Sequence, residues 1–432
     1  MHDSAANTGP GDAPTEGPDP RRLWGSALTD AMRESRRRTL AWTDDLCDEQ
    51  WTVPQQPGLN PIAWELAHLA WFAEFWVLRG PHRTNAAGST QAATAAVHAG
   101  PDELLDSSVI PHSSRWAVPL PSRARVREIL DSQLQACIAA VPLEQGDPAL
   151  YYLRLALFHE DMHAEAFAWL RAVLGYPPPN GATLARLPPP AAIAVPGAEV
   201  FLGRAREPAG FDFDNELPGQ RTTLSDFEID NAPVSAGMYL EFVESGGYDR
   251  PEYWPDDAGR WRAAAGRSQP ERWRRASRGT SSRVASPAGS DVPWEVRWFD
   301  RWQALDPAQP VIHVNAFEAQ AYCRWRGRSL PTAAQWEHAA RSSGGSGPYN
   351  GGGTYAWGSS VWEWTASPFE PYPGFVPGPY KEYSAPWFGS HRELRGGSFA
   401  THRRLHDPRY RNFFMPHRTD IFAGFRTASI PD

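Results

Sequence analysis

From Leu23 to about Gly175, apolar residues recur at helical spacing, with charges gathered on the opposite faces. Residues 23–46 (LWGSALTDAMRESRRRTLAWTDDL) show this pattern throughout. Residues 61–80 (PIAWELAHLAWFAEFWVLRG) open on a proline suited to a first helical turn and stop at Gly80. Residues 122–141 (SRARVREILDSQLQACIAAV) and 148–176 (PALYYLRLALFHEDMHAEAFAWLRAVLGY) complete four long helical segments, the last ending at Gly175 before a proline run. Four helices of this length predict an up-and-down bundle, whose interior is a common place for metal ligands.

The texture then changes. Residues 177–197 (PPPNGATLARLPPPAAIAVPG) are proline-rich and read as a linker. Beyond them AEVFLGR (198–204), TTLSDFEID (222–230) and ELRGGSF (393–399) read as short strands. Helical periodicity is clear only in NAFEAQAYCRWRG (315–327) and PTAAQWEHAARSS (331–343). Residues 256–289, rich in Arg, Ser and Ala, read as a mobile surface insertion. The expected organisation is α+β and multidomain: a disordered tail at 1–20, a helical bundle at 21–176, the linker, and a loop-rich mixed domain at 198–432.

Composition narrows the function classes. A net charge of −8 argues against nucleic-acid or anionic-membrane partners. Three widely spaced cysteines, Cys47, Cys137 and Cys323, make a disulfide framework unexpected, and the cytoplasm is the default compartment. The N-terminal residues lack the apolar core of a secretory signal, and no run of 18 apolar residues occurs, so no membrane span is expected. The 20 tryptophans and 42 prolines point to loop-built structure packed around aromatic rings.

The candidate chemistry is histidine. His159 and His163 lie four apart in a helical segment, so their rings leave one face, one turn apart. Leu155, Phe158, Met162 and Phe167 mark that helix as buried. A buried imidazole pair needs partners, and a transition metal is one. The same residues fit the H-E-x-x-H pattern of zinc hydrolases, with Glu160 as general base. No Gly-x-x-His follows, and Glu165 is too close on the same helix to be the third ligand. His68, amid apolar residues of the second long helix, offers an upstream third ligand, with Glu65 and Glu160 as partners for imidazole N–H groups. Iron, zinc and a non-catalytic ligand-binding module stay open at this point.

Four further phrases occur together: PVIHVNAFEAQAYCRWRGRSLPTAAQWEHAAR (310–341), SSVWEWTASPF (359–369), ELRGGSFAT (393–401) and IFAGFRTA (421–428). They resemble the formylglycine-generating-enzyme domain, a C-type-lectin-like fold. Formylglycine generation needs a reactive cysteine pair and only Cys323 lies there, so that activity is not expected. A DinB-like four-helix bundle bearing these histidines, followed by this domain, resembles the hercynine-dependent sulfoxide synthases of ergothioneine biosynthesis and their selenoneine-forming relatives. The resemblance implies iron(II) held by His68, His159 and His163, dioxygen as co-substrate, and hercynine joined to a thiol or selenosugar donor. It also implies hercynine contacts from Asn412 and Phe413, with Met162 where some relatives have Gln. Arg418 aligns with a donor-binding arginine, whereas Phe414 departs from the Asp of synthases that use γ-glutamylcysteine. Tyr380 and Tyr383 lie where a catalytic tyrosine is expected, and Arg115 and Arg123 in the loop that supplies donor-binding arginines. The phrasing resembles the selenoneine synthases most, which implies a selenosugar donor; γ-glutamylcysteine or cysteine is the alternative, and a zinc hydrolase using HEDMH a further one.

Overall fold

The computed structural model describes residues 19–430 apart from 87, 180–181, 207–209, 277–292, 344–355 and 359. The four expected long helices form: α1 (Gly25–Ala41), α2 (Ile62–Ala73), α3 (Arg123–Ala139) and α4 (Leu150–Leu174). Every residue of α2 is buried, so it runs through the core, and it continues as a π-turn over Glu74–Leu78. α4 ends at Gly175 in the left-handed conformation (φ 71°), which glycine adopts without a Cβ clash.

The second half is richer in structure than its sequence pattern predicts. α5 (Ala236–Glu244) and α6 (Asp256–Ala265) accompany the two expected helices, α7 (Ala316–Arg326) and α8 (Ala333–Ser342). Strands β1 (Ala192–Val195) and β4 (Phe227–Asp230) pair antiparallel, as do β2 (Ala198–Leu202) and β3 (Gln220–Leu224). β1 falls inside the proline-rich stretch, and Gln309 Nε2 donates to Leu184 O there (2.9 Å), so that stretch is docked on the second domain. The expectation of a mobile insertion over 256–289 is corrected for its first part. α6 and β5 (Trp273–Arg275) occupy 256–275, with Trp273 and Arg272 buried; residues 277–289 lie outside the described residues, as do 1–18 of the expected tail. β5 pairs with β6 (Trp294–Trp298), and β6 with β7 (Arg301–Ala304). Tryptophans inside a charged stretch carried the missed signal.

The central sheet has the order β10 (Asn412–Phe414), β9 (Arg392–Gly396), β8 (Trp362–Pro368), β11 (Ala423–Gly424). β8–β9 and β9–β10 are antiparallel and β8–β11 is parallel. Gly396 has φ 92° and lies so close to Gly358 that a Cβ on Gly358 would sit 2.3 Å from its Cα. The RGGSF phrase therefore needs glycine for backbone approach.

One helix joins the halves. Successive residues of α4 turn by about 100°, so Asp161 and Glu165 leave a different face from His159 and His163. Glu165, buried, accepts from Trp362 Nε1 (2.8 Å), Ser398 Oγ (2.5 Å) and Thr401 Oγ1 (2.6 Å). Asp161, fully buried, accepts from Ser35 Oγ (2.8 Å) and from Arg404 Nε and Nη2 (2.8 and 2.9 Å); Arg404 also reaches Glu34 (2.6 Å). The apolar core is continuous across this junction, from Trp64 and Phe72 through Phe158 and Phe213 to Trp362 and Tyr410. Removing one partner of a buried ion pair strands the other. Arg404→Ala is expected to lower stability by roughly 3 kcal/mol in urea titrations. Arg33→Ala, which breaks an exposed pair with Asp30, should cost under about 1 kcal/mol. Equal effects would contradict this account of the junction.

Candidate metal centre

Three residues of α2, at i, i+4 and i+7, hold the short helical turn Asp102–Leu105 in the connection to α3. Trp64 Nε1 donates to Leu104 O (2.8 Å), His68 Nδ1 to Leu105 O (2.7 Å) and Trp71 Nε1 to Asp102 Oδ1 (2.8 Å). A carbonyl only accepts, so His68 carries its proton on Nδ1 and keeps Nε2 as a free lone pair. His163 Nδ1 likewise donates to Glu65 Oε1 (2.7 Å), leaving Nε2 on the far edge of the ring. His159 lies flat on Phe72, with ring centroids 3.6 Å apart and planes at 6°. One ligand atom from each of the three imidazoles falls within 4.8 Å of the other two, the one such cluster among the described residues.

The electrostatics suit a cation. Burial, then the neighbouring His163, pushes the His68 pKa down to about 3, and burial with His163 and His68 lowers His159 well below its ordinary value. Both are therefore neutral near pH 7, the form that ligates metals. The buried Glu65 carboxylate holding one imidazole is the usual partner of a metal-bound histidine. Three imidazoles around one point, with His68 and His159 neutral, fit iron(II) and also zinc.

A cavity of about 240 Å³ opens beside the cluster, walled by Gly58, Leu59, Asn60, Glu65, His159, Met162, His163, Ala166, Trp169, Leu170, Tyr380 and Tyr383. Met162, Ala166 and Trp169 share the helix face of the histidines; their spacing was legible, and Trp169 was overlooked. Tyr380 and Tyr383 come from the C-terminal domain, so the cavity needs both halves. Tyr380 meets Phe72 edge-on (5.0 Å). The Tyr383 hydroxyl lies 3.2 Å from that of Tyr410, which donates to Met162 Sδ (3.4 Å). Burial raises the pKa of all three phenols, so they stay protonated. Tyr410 was missed because nothing in the sequence aims it at α4.

The other candidates fall around this core. β10 alternates its side chains: Phe414 meets Trp169 edge-on (5.8 Å), while Phe413 stacks on Phe369 (4.1 Å) and meets Tyr383 (5.9 Å). Asn412 Oδ1 accepts from the Phe413 N–H (2.9 Å). None of these three walls the cavity; Phe414 backs it through Trp169 and Phe413 through Tyr383. Arg418 lies over Phe414 (4.8 Å) and Trp169 (5.5 Å) and pairs with Asp420 (Nε–Oδ1 2.9 Å), an acidic partner that Phe414 cannot provide. Arg115 stands behind the cluster, over Trp64 (4.2 Å). Two expectations are corrected. Arg123 is remote from the site: it donates to Leu46 O (2.7 Å) and covers Trp51 (4.8 Å). Glu160, one residue from His159, points to α1 and pairs with Arg36 (2.6 Å), so it holds neither imidazole.

The comparisons with known proteins divide the chain in the same way. The family described as DinB superfamily matches residues 31–167, and the Sulfatase-modifying factor enzyme 1-like domain matches 180–361 and 348–430. A hercynine oxygenase of Mycolicibacterium thermoresistibile is 30% identical, covering 93% of this chain and 94% of its own length. The hercynine oxygenase of Mycobacterium tuberculosis is 31% identical over 92% and 97%. The chain belongs to the hercynine oxygenase family. The formylglycine-generating enzyme of Streptomyces coelicolor is 30% identical but covers only 39% of this chain, so that likeness is one of domain. In this family member Cys323 is buried, and burial pushes its thiol pKa up. No helix among the described residues is long and apolar enough to cross a membrane.

The neutral histidines also set a pH dependence for the metal-free chain. Their folded pKa values lie below the unfolded value of about 6.5, so the unfolded chain binds more protons below that pH. The stability they contribute is present above pH 6.5 and is lost as pH falls toward 3. The expected slope is about 1.4 kcal/mol per pH unit per histidine. Urea titrations from pH 7 to 5 should show it, and a His68→Gln, His159→Gln double variant should flatten it. An identical slope in both proteins would contradict neutral burial.

Proposed function

We propose that this chain is a non-haem iron(II), dioxygen-dependent enzyme that forms a carbon–selenium or carbon–sulfur bond on the imidazole of hercynine, with a selenosugar as donor. The carrying observation is the cluster of His68, His159 and His163 facing a cavity closed by the second domain, in a chain whose full-length relatives are named hercynine oxygenases. Bound iron(II) would leave coordination positions open and supply the activation of dioxygen. For a donor R–SeH or R–SH, one imidazole C–H and one donor hydrogen are lost. One C–Se or C–S bond and one chalcogen–oxygen bond form, and dioxygen is reduced by four electrons to that oxygen and one water.

The chain's own residues bind, orient and move protons. Trp169, Tyr380 and Tyr383 present aromatic faces in the cavity wall, suited to a trimethylammonium group. Tyr383 is the favoured proton donor, because it lies in the cavity wall beside His159 and His163 and burial keeps its phenol protonated. The selenosugar is supported by charge. Arg418 is neutralised by Asp420 and lies on an aromatic shelf, which leaves it less suited to a dicarboxylate donor such as γ-glutamylcysteine. The zinc-hydrolase reading is weakened by Glu160, whose carboxylate is spent on Arg36.

The test combines iron-loaded protein, hercynine and oxygen with selenoglucose, cysteine or γ-glutamylcysteine separately, and reads products by mass spectrometry. Product from selenoglucose is expected; a γ-glutamylcysteine sulfoxide alone would overturn the donor assignment. His163→Ala should lose metal and turnover together, whereas Glu160→Gln should keep both. Tyr383→Phe should keep its metal and slow turnover by about 100-fold.

A further inference from the structure

Glu65 is the end of a longer chain of side chains. Its Oε1 accepts from His163 Nδ1 (2.7 Å), and its Oε2 accepts from Asn60 Nδ2 (3.1 Å). Asn60 Oδ1 in turn accepts from Arg115 Nη1 (2.8 Å), and Arg115 Nη2 donates to Ser107 O (3.3 Å). Every direction in this chain is forced. A guanidinium can only donate, so Asn60 turns its Oδ1 to Arg115 and has its Nδ2 left to donate to Glu65. The carboxylate must then accept from His163, which fixes the imidazole proton on Nδ1 and turns Nε2 toward the cluster.

Arg115 reaches the cluster by a second route as well. Its guanidinium lies over Trp64 (4.2 Å), and the Trp64 ring stacks on His68 with centroids 5.0 Å apart and planes at 6°. One arginine from a loop outside the four helices thus braces two of the three imidazoles, one by hydrogen bonds and one by stacked rings.

We infer that Asn60 and Arg115 are positioning residues of the metal centre: they hold Glu65 so that His163 presents a single tautomer, and they set the metal affinity instead of binding substrate. This rests on reading the three histidines as metal ligands. It reassigns Arg115, whose likeness to donor-binding arginines is one of sequence position. A bridging amide suits the task, because it passes the polarity of the guanidinium to the carboxylate without adding a charge beside the ligands.

The test uses the full-length chain with cobalt(II) as the probe, in Asn60→Ala and in Arg115→Met, which keeps an apolar stem over Trp64. Both positions are half-buried, Asn60 in a loop and Arg115 in the short 3-10 helix His112–Trp116, and melting of each metal-free variant confirms its fold. The cobalt(II) affinity should fall roughly 10- to 100-fold, with a shifted ligand-field absorption band. In the metal-free chain, nitrogen-15 NMR of the imidazoles should show His163 protonated on Nδ1 in the native protein and mixed tautomers in Asn60→Ala. Native affinity, band and tautomer in both variants would overturn the inference. So would a raised KM in Arg115→Met with cobalt(II) affinity unchanged, the pattern of a substrate-binding arginine. If the native chain binds no cobalt(II), the metal reading fails, and the inference is overturned with it unless the His163 tautomer responds to Asn60→Ala as stated. If the native chain binds and both variants match it, the inference alone fails.

Discussion

Glu165 takes three hydrogen bonds from the C-terminal domain while His163, half a turn earlier on the same helix, faces the cavity. The helical period allows both only because α4 is rigid and continuous over Leu150–Leu174. Docking the second domain on Asp161 and Glu165 brings Tyr380 and Tyr383 against the wall that holds the histidines. A buried carboxylate without donors is costly, so a shifted docking position would leave Glu165 unsatisfied. The same interaction that joins the halves therefore sets the shape of the cavity.

The clustered imidazoles are held by groups that accept their hydrogen bonds and by stacked rings. Leu105 O and the Glu65 carboxylate each leave one imidazole nitrogen free, while the packed rings of Trp64 and Phe72 fix the planes of His68 and His159. Packing of this kind limits the imidazoles to one arrangement, which lowers the entropic cost of using them together. Around it the charges are matched in pairs: Arg36 with Glu160, Arg404 with Asp161, Arg418 with Asp420. The cavity itself sets the aromatic faces of Trp169, Tyr380 and Tyr383 beside His159, His163 and the Glu65 carboxylate.

Helical periodicity made the bundle legible, because a 3.6-residue pattern survives over four long segments, and His159 and His163 are neighbours on a helix by geometry alone. It could also place Met162 and Trp169 on the same face. His68 needed the further assumption that two helices face each other. In the second domain, short strands gave weak patterns, and α5 and α6 were masked by loop-like composition. The arginine-rich stretch around β5 looked solvent-facing until Trp273 was seen in the core.

The sequence alone determined the helices, the spacing of His159 and His163 and, through its phrases in order, the family. Those features depend on local periodicity or on motifs that survive as strings. Tertiary structure alone decided that Glu65 and not Glu160 holds an imidazole, that Arg115 stands behind the site while Arg123 is remote, and that Asp420 supplies the partner of Arg418. It also brought Tyr410 to Met162 across 248 positions of chain. Direction in space is the physical reason: neighbours one residue apart on a helix point about 100° apart, and only packing chooses which of them meets the site.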